Sequence, residues 1–229
     1  MGSRCRVRWV AIDGPVASGK SAVGRALARR LGYRFIDTGL MYRAVAWAAL
    51  CRGVDPEDGE GLAELARNLD IELQWGPEGE GGRVLIGGRD VTGLLRSPEV
   101  ERIVSAVSAR PEVRRVLVEK QRRLAEAGPV VMVGRDIGTV VLPDADFKVF
   151  LTASAEERAR RRYLERLARG EPTDYEAVLA EVKRRDEYDS SRPVAPLKPA
   201  PDSLVFNTDG LGLEEVVERL LGLICRQDG

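Results

Sequence analysis

The chain has 229 residues, 44% of them hydrophobic, and 36 Lys+Arg balanced by 36 Asp+Glu, so its formal net charge is zero. That length and apolar content fit one large domain with room for an insert, and the neutral balance argues against a polynucleotide partner, which usually shows as a basic excess. Histidine is absent, which removes imidazole bases, imidazole nucleophiles and His-ligated metals and leaves any chemistry to Lys, Arg, carboxylates, backbone amides or a hard cation.

Arg6 to Asp13 reads as a strand and Lys20 to Leu31 as a helix, with Val23, Leu27 and Leu31 spaced at four. Between them runs Ile12-Asp-Gly-Pro-Val-Ala-Ser-Gly-Lys-Ser21. Gly14, four residues and Gly19-Lys20-Ser21 make the phosphate-binding pattern G-x-x-x-x-G-K-[ST], in the strand–loop–helix context it requires. Backbone N–H groups of such a loop point inward at a phosphate, glycines permit the tight path, and the following helix presents its positive end. Lys20 adds a full charge, and the Ser21 hydroxyl can hold Mg²⁺. The dinucleotide fingerprint G-x-G-x-x-G fails, because Val16 stands where its second glycine belongs.

Further along, Tyr33–Ile36, Val130–Val133, Lys148–Leu151 and Leu204–Phe206 are short apolar runs like Trp9–Ile12. Most are continuously apolar, as expected for strands buried on both faces, and helical patterns separate them. The economical fold is a doubly wound α/β sheet, with ligands at the carboxyl ends of its strands. The loop after Asp13, Asp37-Thr38, Gly134-Arg135-Asp136 and Asn207-Thr208-Asp209 all fall at such ends.

Gly39–Gly53 and Asp58–Asn68 read as helices. Ile71–Trp75 alternates, Gly76–Gly82 is a glycine-rich turn, and Arg83–Gly87 resumes as a hairpin extended by Asp90-Val-Thr. Two helices follow, the second from Pro111 to Ala127 with proline in its first turn. Ser154-Ala-Glu-Glu157 has the form of a capping box opening an arginine-rich helix that Gly170-Glu-Pro172 ends. Another helix runs from Tyr175 to about Tyr188, and Pro193–Pro201 is a proline-rich loop.

A phosphate loop without histidine leaves phosphoryl transfer to a small acceptor or a nucleotide-gated binding protein. A GTP switch would need Asp-x-x-Gly and Asn-Lys-x-Asp. Asp136-Ile-Gly places its glycine one residue early, and Asn207-Thr-Asp209 lacks the lysine. The basic residues are overwhelmingly arginine, with lysine only at 20, 120, 148, 183 and 198. Arginine suits bidentate phosphate contacts, yet an isolated arginine is more often a solvated surface residue. Arg43, Arg135, Arg185 and Arg192 at strand ends or helix–loop segments, and Arg158, Arg161 and Arg162 before the Gly170 break, are the candidates for a kinase.

Ile12–Ser21, Asp-Thr-Gly-Leu-Met-Tyr-Arg (37–43), Gly-Arg-Asp-Ile-Gly-Thr-Val-Val (134–141) and Arg-Asp-x-x-Asp-x-x-Arg-x-Val-Ala-Pro-Leu (185–197) together resemble the bacterial cytidylate kinases of the nucleoside-monophosphate kinase group. The similarity runs from about residue 7 to 225. It implies an α/β P-loop kinase core, with a parallel five-stranded sheet flanked by helices, over 1–69 and 106–229. It also implies a lid at about 158–175 and a small antiparallel acceptor-binding insert over 70–105. It implies transfer of the γ-phosphoryl group of ATP to CMP and dCMP, with Mg²⁺ held by Ser21; a kinase for another acceptor such as UMP is the same-class alternative.

The resemblance assigns Gly14, Pro15, Val16, Ala17, Ser18, Gly19, Lys20, Ser21 and Ala22 to the ATP phosphates. Thr38, Arg43, Ser105, Arg114, Asp136, Arg185, Asp189 and Arg192 would hold the acceptor. Lys20, Arg135, Asp136, Arg158 and Arg162 would carry catalysis. No 18-residue apolar run and no signal-peptide pattern occur, so a cytoplasmic monomer with nucleotide partners and no membrane is expected. Cys5, Cys51 and Cys225 are too widely spaced for a zinc site.

Overall fold

The computed structural model of the chain describes residues 7–74 and 82–225. The expected strand's first residue, Arg6, and the glycine-rich turn apart from Gly82 lie outside the described residues. The larger sheet has five strands in the order β2-β6-β1-β7-β8: β1 (Trp9–Asp13), β2 (Arg34–Asp37), β6 (Val130–Val133), β7 (Phe147–Thr152) and β8 (Leu204–Asn207). β7 pairs in parallel with both β1 and β8. Pairing in parallel demands crossover connections, and helices supply them. A second sheet, β3-β4-β5 (Ile71–Gln74, Arg83–Ile86, Arg89–Asp90), is antiparallel.

Packing divides the chain into two compact units, Met1–Leu27 with Val133–Gly229, and Ala28–Met132. In the first, Val10, Ala11 and Ile12 of β1 and Val149 and Leu151 of β7 are buried. That is the double-sided burial their unbroken apolar runs imply. β8 departs from that expectation. It is an edge strand, and Leu204 and Val205 are 38% and 57% exposed. Helices α1 (Lys20–Leu31), α6 (Ala155–Ala168), α7 (Tyr175–Ser191) and α8 (Leu213–Ile224) complete the elements. Ser154 caps α6 by accepting from Glu157 N–H at 3.2 Å. The other half of the expected capping box is filled from elsewhere, because the Ser154 N–H donates to Asp209 at 2.9 Å. α7 reaches Ser191, three residues beyond the sequence estimate.

The second unit is built on α2 (Thr38–Arg52), α3 (Gly59–Asn68), α4 (Pro98–Ala109) and α5 (Pro111–Glu126) around one apolar cluster. Asp37 caps α2 by accepting from Gly39 N–H at 3.0 Å. Met41, Ala44, Val45, Ala48 and Ala49 of α2 are buried against Leu62, Leu95, Val104 and Leu117. The small sheet contributes Val84 to the same cluster, so its alternation does pack one face.

Candidate active site

The loop after β1 has the geometry of a phosphate cradle. Gly14 has φ +149°, and a Cβ there would overlap the Leu151 carbonyl oxygen, so only glycine can pass. Gly19 has φ +90°, and α1 begins at the next residue. Lys20 is buried and folds back on the loop, donating to the Pro15 carbonyl at 2.5 Å and to Ser18 Oγ at 3.2 Å. This leaves the helix N-terminus, the loop amides and the ammonium within one short stretch, where positive potential is concentrated.

The segment after β6 begins with Arg135 and Asp136 and runs into a π-helical turn, Ile137–Val141. Asp136 is buried and its carbonyl accepts from Val140 N–H at 2.9 Å. Asp13, at the end of β1, accepts from Ile137 N–H and Gly138 N–H, each at 2.7 Å. Burial pushes its carboxyl up from 3.8 to about 6; the two amides and Lys20 pull the other way, and Asp136 adds to the rise.

Three arginines surround one carboxylate at the end of α7. Arg135 Nε donates to Asp189 Oδ2 at 2.9 Å, and Arg192 Nη1 stands 3.9 Å from Asp189 Oδ1. Burial raises the Asp189 carboxyl, but Arg135, Arg192 and Arg185 outweigh it and hold it below its ordinary value. The three guanidiniums concentrate positive charge at this end of α7, which suits an anion. Asp189 also orders the turn beyond α7, since its carbonyl accepts from Leu197 N–H at 2.8 Å.

The arginines of α6 are occupied in different ways. Arg158 is buried and donates to Asp186 Oδ1 and Oδ2 at 2.8 and 2.5 Å, to the Ala153 carbonyl at 3.0 Å and to the Val16 carbonyl at 3.2 Å. It thereby ties the phosphate loop to α7. Arg162 meets Glu165 at 3.1 Å. Arg161 donates to Thr208 Oγ1 and O at 2.9 and 2.8 Å, and its Nη1 is the nearest atom to a Cβ built on Gly19, at 3.8 Å.

In the second unit, Thr38 is buried in the first turn of α2. Arg43 pairs with Glu101 at 2.7 Å. Arg114 is buried on α5, donates to the Ser108 carbonyl at 3.0 Å, and sits 5.5 Å from the Tyr42 ring centroid, a cation–π contact. The Ser105 carbonyl accepts from Ser108 Oγ at 3.0 Å.

The family model for cytidylate kinase matches residues 10–226. The chain belongs to the cytidylate kinase family. A cytidylate kinase from Geobacillus kaustophilus is 51% identical, over 96% of this chain and 97% of its own. One from Rhodococcus opacus is 52% identical, over 96% of each. Among solved structures, a shikimate kinase from Bacteroides thetaiotaomicron (TM-score 0.51, 17% identity, covering 94% of this chain and 97% of its own) shares the fold. So does a gluconokinase from Sinorhizobium meliloti (TM-score 0.51, 17% identity, covering 98% and 95%).

Within this cytidylate kinase chain, sequence reasoning gave no role to Asp13, Asp186, Glu101 and Tyr42, and named Arg161 only as one of the arginines before the Gly170 break. Asp13 had a signal, a carboxylate closing an otherwise apolar strand directly before the phosphate loop. Asp186 lies in the 185–197 motif, but nothing local pointed to its pairing with Arg158, 28 residues away, and Glu101 had no signal, its partner lying 58 residues away.

Proposed function

We propose that the chain transfers the γ-phosphoryl group of ATP to CMP and dCMP, giving ADP with CDP or dCDP. The observation that carries the reading is the phosphate cradle of Gly14–Ser21, whose backbone path excludes any side chain at Gly14, in a member of the cytidylate kinase family. The cradle's amides and Lys20 bind the donor phosphates and stabilise charge moving onto the bridging oxygen. Ser21, on the first turn of α1, offers a hard oxygen suited to Mg²⁺, which when bound neutralises charge on the donor phosphates.

Arg185 and Arg192 with Asp189 engage the acceptor's phosphate and ribose, Arg135 takes part in transfer, and Thr38, Arg43, Ser105 and Arg114 are acceptor contacts. Asp136 accepts from the cytosine 4-amino group, which uracil lacks. Arg158 holds the loop to α7, and Arg162 acts at the phosphoryl group from α6. The protein works in the cytoplasm as a monomer. An assay of ADP release across AMP, CMP, GMP, UMP and shikimate tests the reading: CMP and dCMP should be preferred. Equal or better turnover of another acceptor would replace it.

A further inference from the structure

We infer that Asp13 is a positioning residue for phosphoryl transfer, one that fixes the Asp136 segment by accepting the first two backbone N–H groups of the Ile137–Val141 turn. The inference rests on the functional reading above and adds to it a residue outside the phosphate cradle and the acceptor contacts.

A helical turn begins with N–H groups that have no partner inside it. Here the turn is π-helical, with Leu142 N–H reaching the Ile137 carbonyl at 2.7 Å and Val141 N–H the Asp136 carbonyl at 3.2 Å. Such turns are uncommon and need support from outside. Asp13 supplies it from another strand, with one carboxylate oxygen on each amide. Gly138 permits the approach, because a Cβ there would stand 3.4 Å from Asp13 Oδ2 and 3.3 Å from Lys148 Cδ. Asp136 immediately precedes the two captured amides, so its backbone is set by the same clamp.

The clamp needs an ionised carboxylate. A protonated Asp13 would turn a donor towards two donors and leave one buried amide unpaired. The charged groups around it are Asp136 from the turn, Lys20 from α1 and Lys148 from β7. Lys148 is engaged elsewhere, with Asp202 at 2.6 Å and the Pro143 carbonyl. Burial brings the Asp13 carboxyl to about 6, so mild acid reaches it while ordinary carboxylates stay ionised.

Asp13→Asn keeps the shape, retains one acceptor and sets an amide donor against the second N–H. The test is a double-mutant cycle with Asp136→Asn on kcat/KM for CMP at pH 7.5, with pH profiles from 5 to 8. Asp13→Asn should lose at least about tenfold, since small displacements at a reacting centre cost that much or more. The double variant should be no slower than the slower single variant, because both changes disable one unit. The wild type should lose activity on acidification through about pH 6, and both single variants should lack that fall. Multiplicative losses in the double variant, wild-type activity in Asp13→Asn, or an acid fall surviving in either single variant would overturn the inference. Should Asp13→Asn not fold, the Asp136→Asn profile alone decides, since an acid fall that persists there does not act through Asp136. A wild type that ignores CMP but phosphorylates another acceptor would defeat the functional reading instead, and the same cycle run on that acceptor still tests Asp13.

Discussion

Replacing Arg158 with alanine removes a guanidinium that holds three elements at once: the phosphate loop through the Val16 carbonyl, the end of β7 through Ala153, and α7 through Asp186. Breaking a buried ion pair by deleting one partner costs about 3–5 kcal/mol. The Asp186 side chain is 28% exposed, so water recovers part of that. Two carbonyls also lose their donors, at about 1 kcal/mol each before solvent relaxation. About 3 kcal/mol is the net expectation, which in a chain of this size lowers Tm by roughly 6–12 °C. Arg158→Lys keeps the charge but not the bidentate fit and should fall between wild type and alanine. Thermal unfolding followed by circular dichroism, with kcat measured on the same samples well below Tm, gives both quantities. A variant whose Tm stays within about 2 °C of wild type while kcat drops more than tenfold would refute the structural tie and place Arg158 at the phosphoryl group instead.

Lys20→Ala should lower kcat by at least about a hundredfold with a smaller change in CMP affinity, because its charge counts most in the transition state; steady-state kinetics check this. If Asp136 meets the base as proposed, Asp136→Asn should lower the preference for CMP over UMP, worth at least about tenfold in the wild type, by replacing one carboxylate acceptor with an amide donor that can meet uracil O4; an unchanged ratio would move base recognition elsewhere. Stability should follow pH with opposite signs at two buried carboxylates. The Asp13 carboxyl is raised from 3.8 to about 6, so its ionisation opposes folding, and its contribution improves by up to about 3 kcal/mol as pH falls from 8 towards 4. Asp189 is lowered, so its contribution is present above the ordinary carboxylate range and lost as pH falls through its native value. Wild type should therefore gain in Tm on Asp13→Asn between pH 8 and pH 5, even as its activity declines.

Much of this was legible because the signals were local. The apolar runs at 9–12 and 130–133, and the one that follows Lys148, each became part of a strand of the larger sheet. Gly14 and Gly19 were readable from spacing alone, since a loop wrapping a phosphate leaves few alternatives to glycine. What escaped was long-range. The Asp13 clamp joins residues 124 and 125 apart, and no periodicity encodes it. The capping box at Ser154 was half wrong for the same reason, as Asp209 from the β8 side reached the amide that Glu157 was expected to hold. β8 looked like an interior strand because hydropathy does not distinguish an edge position from a central one. Arginine-rich α6 was ambiguous by sequence. Its pairs at helical spacing, such as Glu157 with Arg161, were findable, whereas Arg158 with Asp186 required the fold.

The most direct test of the central claim is to mix the purified protein with ATP, Mg²⁺ and CMP and identify the products by chromatography against authentic nucleotides. The account predicts ADP and CDP in equal amounts, none of either without CMP beyond slow hydrolysis, and slower formation of UDP from UMP. ADP without CDP, or faster turnover of UMP, AMP or GMP than of CMP, would contradict it.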